Sequence, residues 1–418
     1  MRASNALLPT QGFLVEQLLA PQQARTAFFA RAPLAPLGVQ RVTLENASGR
    51  FLARDVLADC DYPSVSRSAM DGFAIRSSEA PGTFLITGEV AMGRLAAQEV
   101  PPGGAMRIPT GGALPPGADA VIPIEDVLPS GHRIEIIRAV NPGECLTPIA
   151  SDMKTGEKVL CRGQVLGAAE IGVMATLGVT QVPVYRRPVF GILSCGDELI
   201  EPSKKALPGE IRDSNRYAIG VALQGMGVDV RHFPTVADRA QEVRNTLRSA
   251  VEDCDGVILT GGSSVGEKDL TPRVITELGA PGVIVHGLRV KPGKPTVLAA
   301  IGEKPVFGLP GNPASALIIL EAVLRPLIDA MTGNASRPRV IAATAEEVFS
   351  GRSGWTWFAP VAVRSQGFQY MARPLLIRSA FASLLARAGG FVTLGENHGT
   401  TEIGELVYVT PFSTGGRW

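Results

Sequence analysis

Three stretches of this chain join small residues to acids in a way that suits oxyanion chemistry. They read Ser194-Cys195-Gly196-Asp197-Glu198-Leu199, Thr260-Gly261-Gly262-Ser263-Ser264-Val265-Gly266-Glu267-Lys268-Asp269, and Gly308-Leu309-Pro310-Gly311-Asn312-Pro313-Ala314-Ser315. Each follows an apolar run and opens a helix or turn. Glycine lets the backbone approach a ligand, and free N–H groups at a helix start can then face an oxyanion. The second stretch holds more small residues than a turn needs, which favours a phosphate or nucleotide site. In the third, Asn312 is a good N-cap and Pro313 a good first helical residue, so capping alone also explains the pair.

The acids sharpen this reading. Glu198, Asp238 and Asp269 all follow apolar strand-like runs. A carboxylate beside a phosphate cradle repels the ligand unless a hard cation intervenes, and Mg²⁺ held by one or two carboxylates and substrate phosphates resolves the conflict. Asp238 has a second explanation, as a charge at the start of the following helix. Val290-Lys291-Pro292-Gly293-Lys294-Pro295-Thr296 holds two ammonium groups on a proline-stiffened arch, or else is a solvated turn. No GxxxxGK[ST] and no GxGxxG occurs, so neither a Walker-type NTPase nor a dinucleotide fingerprint is present. Ser66-Arg67-Ser68-Ala69-Met70-Asp71-Gly72 contains an Asp-Gly pair, by itself a hairpin turn. The segment 109–121 is a turn-rich loop before an apolar strand. On their own, both read as structural.

The bulk numbers bound the rest. Lys+Arg 40 against Asp+Glu 39 leaves a formal charge of +1, without basic runs. That is no footprint for nucleic acid, so an anionic substrate must be held by a local site. The five cysteines (Cys60, Cys145, Cys161, Cys195, Cys254) never form C-x-x-C, and the four histidines are scattered. Neither a disulfide framework nor a His/Cys metal site is expected. Residues 1–9 lack a basic region before a long apolar core, and the apolar stretch 314–320 stops at Glu321. We expect no signal peptide and no membrane span, which needs roughly 18 apolar residues. The expected setting is the cytoplasm.

The elements that would position these residues follow from periodicity. Residues 13–31 read as a helix; 42–58 read as strand, helical turn, strand. From 59 to 148 the text is short apolar runs (84–86, 105–108, 120–124, 133–137) cut by Gly and Pro, an all-β module. Residues 159–183 return to strand, helix (168–177), strand, so the β module looks inserted. Strands at 189–193, 229–236, 256–259, 283–285, 297–300 and 305–308 alternate with helices at 215–226, 237–254, 270–278 and 313–328. That alternation implies a doubly wound, mostly parallel sheet. Strands at 340–344, 356–363, 392–394 and 406–410, with a helix near 380–387, form a last β-rich domain.

Together the strings resemble one family. S-A-M-D-G-F-A at 68–74, T-G-G-A-L-P-P-G-A-D-A-V-I-P-I-E-D at 110–126, G-D-E-L at 196–199, I-R-D-S-N at 211–215, the 261–269 loop, K-P-G-K-P at 291–295 and L-P-G-N-P-A-S-A at 309–316 stand in the order and spacing of molybdopterin molybdenumtransferases. The gephyrin E domain is similar. The resemblance implies four domains: an elongated, discontinuous one (10–55 and 150–187), an inserted β domain (56–149), a molybdopterin-binding α/β domain (188–333) and a C-terminal β domain (334–418). It implies insertion of molybdate into adenylylated molybdopterin with release of AMP. Glu198 and Asp269 would hold Mg²⁺ at the pyrophosphate, with Asp238 as an acid–base or positioning group. Asp71 and Thr110 would come from the twofold mate of a homodimer. Ser68, Gly111, Asp213, Asn215, Gly261, Gly262, Ser263, Ser264, Lys291, Lys294, Pro310, Gly311, Asn312 and Pro313 would contact the ligand. Molybdopterin adenylyltransferase and molybdoenzyme maturation factors would be further partners.

Two departures bear on the metal. Family members usually carry an Arg-rich string before the acid matching Asp152, where this chain reads G-E-C-L-T-P-I-A-S-D at 143–152. Residues 386–390 read A-R-A-G-G where Ala-Asn-Gly is common. Both leave tungstate open as the metal oxyanion. A non-catalytic molybdopterin-binding scaffold and an adenylyltransferase are the other readings; the retained acids speak against the first and the four-domain length against the second.

Overall fold

The computed structural model describes residues 18–261, 270–375 and 383–413. The chain divides into two compact units: one comprises the residues up to Ala53, Gly163–Leu166 and everything from Val182 on; the other comprises Arg54–Arg162 and Gly167–Gln181.

The larger unit is built on a six-stranded sheet. Its strand order is Asp229–His232, Val189–Ser194, Gly256–Thr260, Lys304–Leu309, Val297–Ile301, Pro281–His286. The first four run parallel. The Gly256–Thr260 strand is buried at every residue, as a strand covered on both faces must be. On one face lie Ala240–Asp253, presenting Val243, Leu247 and Ala250, and Leu270–Leu278, presenting Val274 and Ile275. On the other lie Asn215–Gly225, Pro313–Ile319 and Pro21–Arg31, whose Phe28 ring sits 5.6 Å from that of Phe307.

Val297–Ile301 departs from the alternation rule, because it runs antiparallel to both neighbours. Only Gly302 and Glu303 separate it from Lys304–Leu309. Two residues can close a hairpin but cannot make the crossover a parallel pair needs. The helix expected over 313–328 is interrupted by a π turn at Leu320–Leu324 before Arg325–Thr332 begins. Pro326 stands in the first turn of that second helix, where its missing N–H removes a bond the continuous helix would require.

The same unit carries a second sheet, ordered Val290–Lys291, Thr356–Gln366, Gln369–Pro374, Ile341–Ala345, Leu406–Pro411, Gly390–Leu394. A further pairing of Thr356–Gln366 with Gly390–Leu394 closes it into a barrel around Phe349, Val361, Ala372 and Val409. Gln369–Pro374 escapes a reading by apolar alternation, since its three hydrophobic residues, Tyr370, Met371 and Ala372, run together instead of alternating. Of the helix expected near 380–387, residues 380–382 lie outside the described residues, and Leu385–Arg387 is a 3₁₀ turn.

In the smaller unit a six-stranded sheet is ordered Ala120–Pro123, Gly72–Ile75, Gly104–Ile108, Gly82–Glu89, Arg133–Ile136, Leu128–Ser130. The Asp71-Gly72 pair makes no hairpin turn here. Gly72 lies in the sheet, paired with Ile108 and Pro123, and a Cβ on it would meet the Ile122 carbonyl oxygen at 2.0 Å. Close backbone approach, not a turn, requires the glycine. Among the described residues no helix is long and apolar enough to cross a membrane.

Candidate active site

The carboxyl ends of the parallel strands bring three loops together backbone to backbone. Gly261, at φ +81°, sits so close to the first loop that a Cβ would lie 2.0 Å from the Cys195 carbonyl oxygen. Gly311 of the third loop has space for a Cβ 3.6 Å from the Gly261 Cα. The Asn215 side-chain amide donates to the Gly311 carbonyl at 2.8 Å and so ties the Asn215–Gly225 helix start to the same point. The buried Asp213 accepts from the Arg216 amide at 3.2 Å and from Thr235 Oγ1 at 3.3 Å, so its carboxylate holds the turn before that helix. Asn312 caps Pro313–Ile319 by accepting from the Ser315 amide at 3.3 Å. The capping reading of Asn312 and Pro313 therefore holds, and their place beside Gly261 keeps them at the strand ends. Gly262, Ser263, Ser264 and Asp269 lie outside the described residues.

Glu198 and Asp238 share this edge. Cys195 bridges Val236 in parallel, and the Gly196 amide donates to the Val236 carbonyl at 3.1 Å, lacing the two acid-bearing loops together. Asp197, a residue to which the sequence motifs assign no role, accepts from the Asp238 amide at 3.2 Å. Asp238 precedes Arg239, the N-cap of Ala240–Asp253, and no side chain caps that helix. Asp238 therefore makes no cap hydrogen bond, and its place one residue before the N-cap still suits a charge at the helix start. Partial desolvation, then the Asp197 and Glu198 charges, push its carboxyl above the usual carboxylate range. Cys195 is buried, and that burial drives its thiol up to about 12, away from the thiolate form.

In the smaller unit a second pair is built. Asp71 Oδ1 accepts from the Thr110 amide at 2.6 Å and from Thr110 Oγ1 at 2.8 Å. Those bonds, with a contribution from Arg107, hold the exposed Asp71 carboxyl below its usual range. The loop carrying Thr110 is clamped. The Gly111 amide donates to the Ser68 carbonyl at 2.7 Å, and Arg67 donates to the Gly111 carbonyl at 2.8 Å. Ser68 itself is buried, and its hydroxyl donates to the Met70 carbonyl, so it shapes the loop from within.

The lysine arch is ordered by its own bonds and by the barrel. The Gly293 carbonyl accepts from the Thr296 hydroxyl at 2.7 Å, and Gly293 (φ +102°) presses on Ile319, where a Cβ would come within 2.2 Å. Lys291 pairs in register with Trp357 across the Val290–Lys291 and Thr356–Gln366 strands. The arch and the barrel enclose a cavity of about 420 Å³, lined also by Arg352, Trp355 and Trp357. Sequence spacing gave no signal for these last three, which are some 60 residues from the lysines. Pro313–Ile319 spans about 10 Å, so the arch at its far end and the loops at its capped end suit two parts of an extended ligand.

Fold and site together define a multidomain α/β protein with acids and cations at separate positions beyond its strand ends, the edge at which open α/β sheets generally take ligands. Comparison with known proteins agrees. Residues 19–178 match the model of the MoeA N-terminal region (domain I and II), and residues 191–330 match the probable molybdopterin binding domain. The molybdopterin molybdenumtransferase of Haemophilus influenzae is 31% identical over 95% of this chain and 99% of its own length. That of Bacillus subtilis is 30% identical over 88% of each chain. The crystal structure of the molybdopterin biosynthesis MoeA protein from Pyrococcus horikoshii superposes with a TM-score of 0.83 at 26% identity, covering 95% of this chain and all of that one. The chain belongs to the molybdopterin molybdenumtransferase family.

Proposed function

We propose that this protein inserts molybdate into adenylylated molybdopterin and releases AMP, the final step in making the molybdenum cofactor. One observation carries the reading: three glycine-bearing strand-end loops converge with Glu198 and Asp238 at the edge where an α/β sheet takes its ligand. We assign Mg²⁺ to Glu198 and Asp269. The described acids fit such an ion, because desolvation and then the Asp197 and Glu198 charges push the Asp238 carboxyl up, and a hard cation beside these carboxylates would offset their repulsion. Mg²⁺ takes one or two carboxylates and completes its shell with water and phosphate. Bound there, the ion would offset phosphate charge.

The protein's own groups supply the rest. Loop amides near Gly261 and Gly311 orient the pyrophosphate, Asp238 positions or exchanges a proton, and Lys291 and Lys294 attract the oxyanion. We further propose a homodimer in which Asp71 and Thr110 complete the site of the partner subunit. The working division is the four segments 10–55 with 150–187, 56–149, 188–333 and 334–418, and the working location is the cytoplasm. Release of AMP from adenylylated molybdopterin by the purified chain, dependent on both Mg²⁺ and molybdate, tests the reaction. Tight binding without AMP release would make the protein a scaffold, and faster release with tungstate would change the metal.

A further inference from the structure

The cavity beside the lysine arch holds its cations in an uncommon way. Lys291 Nζ lies 4.6 Å from the centroid of the Trp357 ring, and Arg352 Cζ lies 5.3 Å from that of Trp355. Among the described residues neither cation has an ion pair. Arg289, two residues before Lys291, shows the ordinary alternative: its guanidinium is paired with Glu396 at 2.9 Å.

The difference matters for anion binding. A carboxylate partner fixes a cation but neutralises it and occupies its donors. An indole face attracts the cation through its quadrupole, leaving the full charge and the N–H groups for a ligand. Backbone pairing sets the position, since Lys291 lies opposite Trp357 in register and the Thr356 amide donates to the Arg289 carbonyl at 3.0 Å. Among the described residues the buried Trp357 Nε1 donor has no hydrogen-bond partner, a cost that phenylalanine would avoid. Tryptophan offers the strongest cation–π face in exchange.

We infer that Trp357 and Trp355 are positioning residues for oxyanion binding, their indole faces holding Lys291 and Arg352 at the cavity wall with their charge intact. This rests on the proposed reading of the arch as the oxyanion end of the site. The test measures the molybdate dissociation constant by calorimetry on the full chain, and KM and kcat for molybdate in AMP release. The variants are Trp357→Leu, Trp357→Phe, Lys291→Met and the Lys291→Met/Trp357→Leu double. Trp357→Leu is expected to weaken molybdate binding about fivefold, the upper size of a cation–π contact to an exposed lysine. Trp357→Phe should lose roughly two- to threefold, and kcat at saturating molybdate should stay within about twofold. In the Lys291→Met background, Trp357→Leu should cost nothing more.

Equal loss in both backgrounds would make Trp357 a wall of the cavity and overturn the inference. So would an unchanged affinity in Trp357→Leu while Lys291→Met binds weakly, although the reading of the arch would survive that result. An unchanged affinity in Lys291→Met would remove the reading of the arch itself. Should Trp357→Leu fail to fold, as judged by its melting temperature, Trp357→Phe and Trp357→Tyr carry the same comparison.

Discussion

Asp71 receives two hydrogen bonds from one residue, and both favour its charged form. The folded chain therefore keeps Asp71 ionised to lower pH than a free aspartate. That stabilisation is complete above the ordinary carboxylate value and is lost as pH falls through the depressed one. Thr110→Val removes the hydroxyl bond and leaves the amide bond. We expect the Asp71 midpoint, followed by its carboxyl ¹³C shift, to rise toward the ordinary value; an unmoved midpoint would show that Thr110 Oγ1 does not hold the charge. At the strand-end loops the assigned metal ligands make a harsher test. Glu198→Gln should lower metal-dependent AMP release by roughly two orders of magnitude or more, as loss of a charge-stabilising group does. Near-normal release would remove Glu198 from the metal site.

At the scale of elements, glycine decides how close backbones come, and not every glycine matters equally. A Cβ on Gly72 would stand 2.0 Å from the Ile122 carbonyl oxygen, within a paired strand that cannot give way. Gly172 lies within the Ala168–Thr176 helix and, among the described residues, has nothing within 4 Å of its Cβ position. Gly72→Ala should destabilise the smaller unit by about 1–3 kcal/mol, as overpacking does. Gly172→Ala should stabilise it by about 0.5–1 kcal/mol, because helical glycine costs that much against alanine. Urea titration of both variants checks the pair, and a destabilised Gly172→Ala would mean that the helix face is covered. The sharpest difference from expectation at this scale, the antiparallel Val297–Ile301 strand, was also written in local spacing: two residues before the next strand permit only a hairpin.

For the whole molecule the proposed homodimer makes a stoichiometric prediction. Asp71 and Glu198 belong to different compact units. In the proposed arrangement each active site joins Glu198 of one subunit to the mate's Asp71, so Asp71→Asn and Glu198→Gln should each be nearly inactive alone. Refolding equal amounts together should give mixed dimers as about half the population, each with one intact and one doubly damaged site. Roughly a quarter of wild-type activity should return, by the symmetry of an isologous dimer. No recovery, with mixed dimers confirmed by native mass spectrometry, would place each site within a single subunit.

The chain by itself determined its family, most of its strands and helices, and the acids and lysines at issue. Those features are local: periodicity over a few turns, small residues after an apolar run, motifs in a set order. Even Asp197 lies in such a motif, beside Glu198. What only the tertiary structure decided is which distant backbones touch. Gly261 reads as a permissive loop residue in sequence, whereas its role here is contact with the Cys195 carbonyl. Gly72 reads as a turn, yet it serves a sheet. Lys291 reads as a solvated lysine or an anion binder, and nothing near it in sequence could show that Trp357 would lie under its ammonium. Such contacts depend on strand pairing between residues far apart in the chain, and pairing is fixed by how whole sheets bury their faces, not by the residues that finally meet.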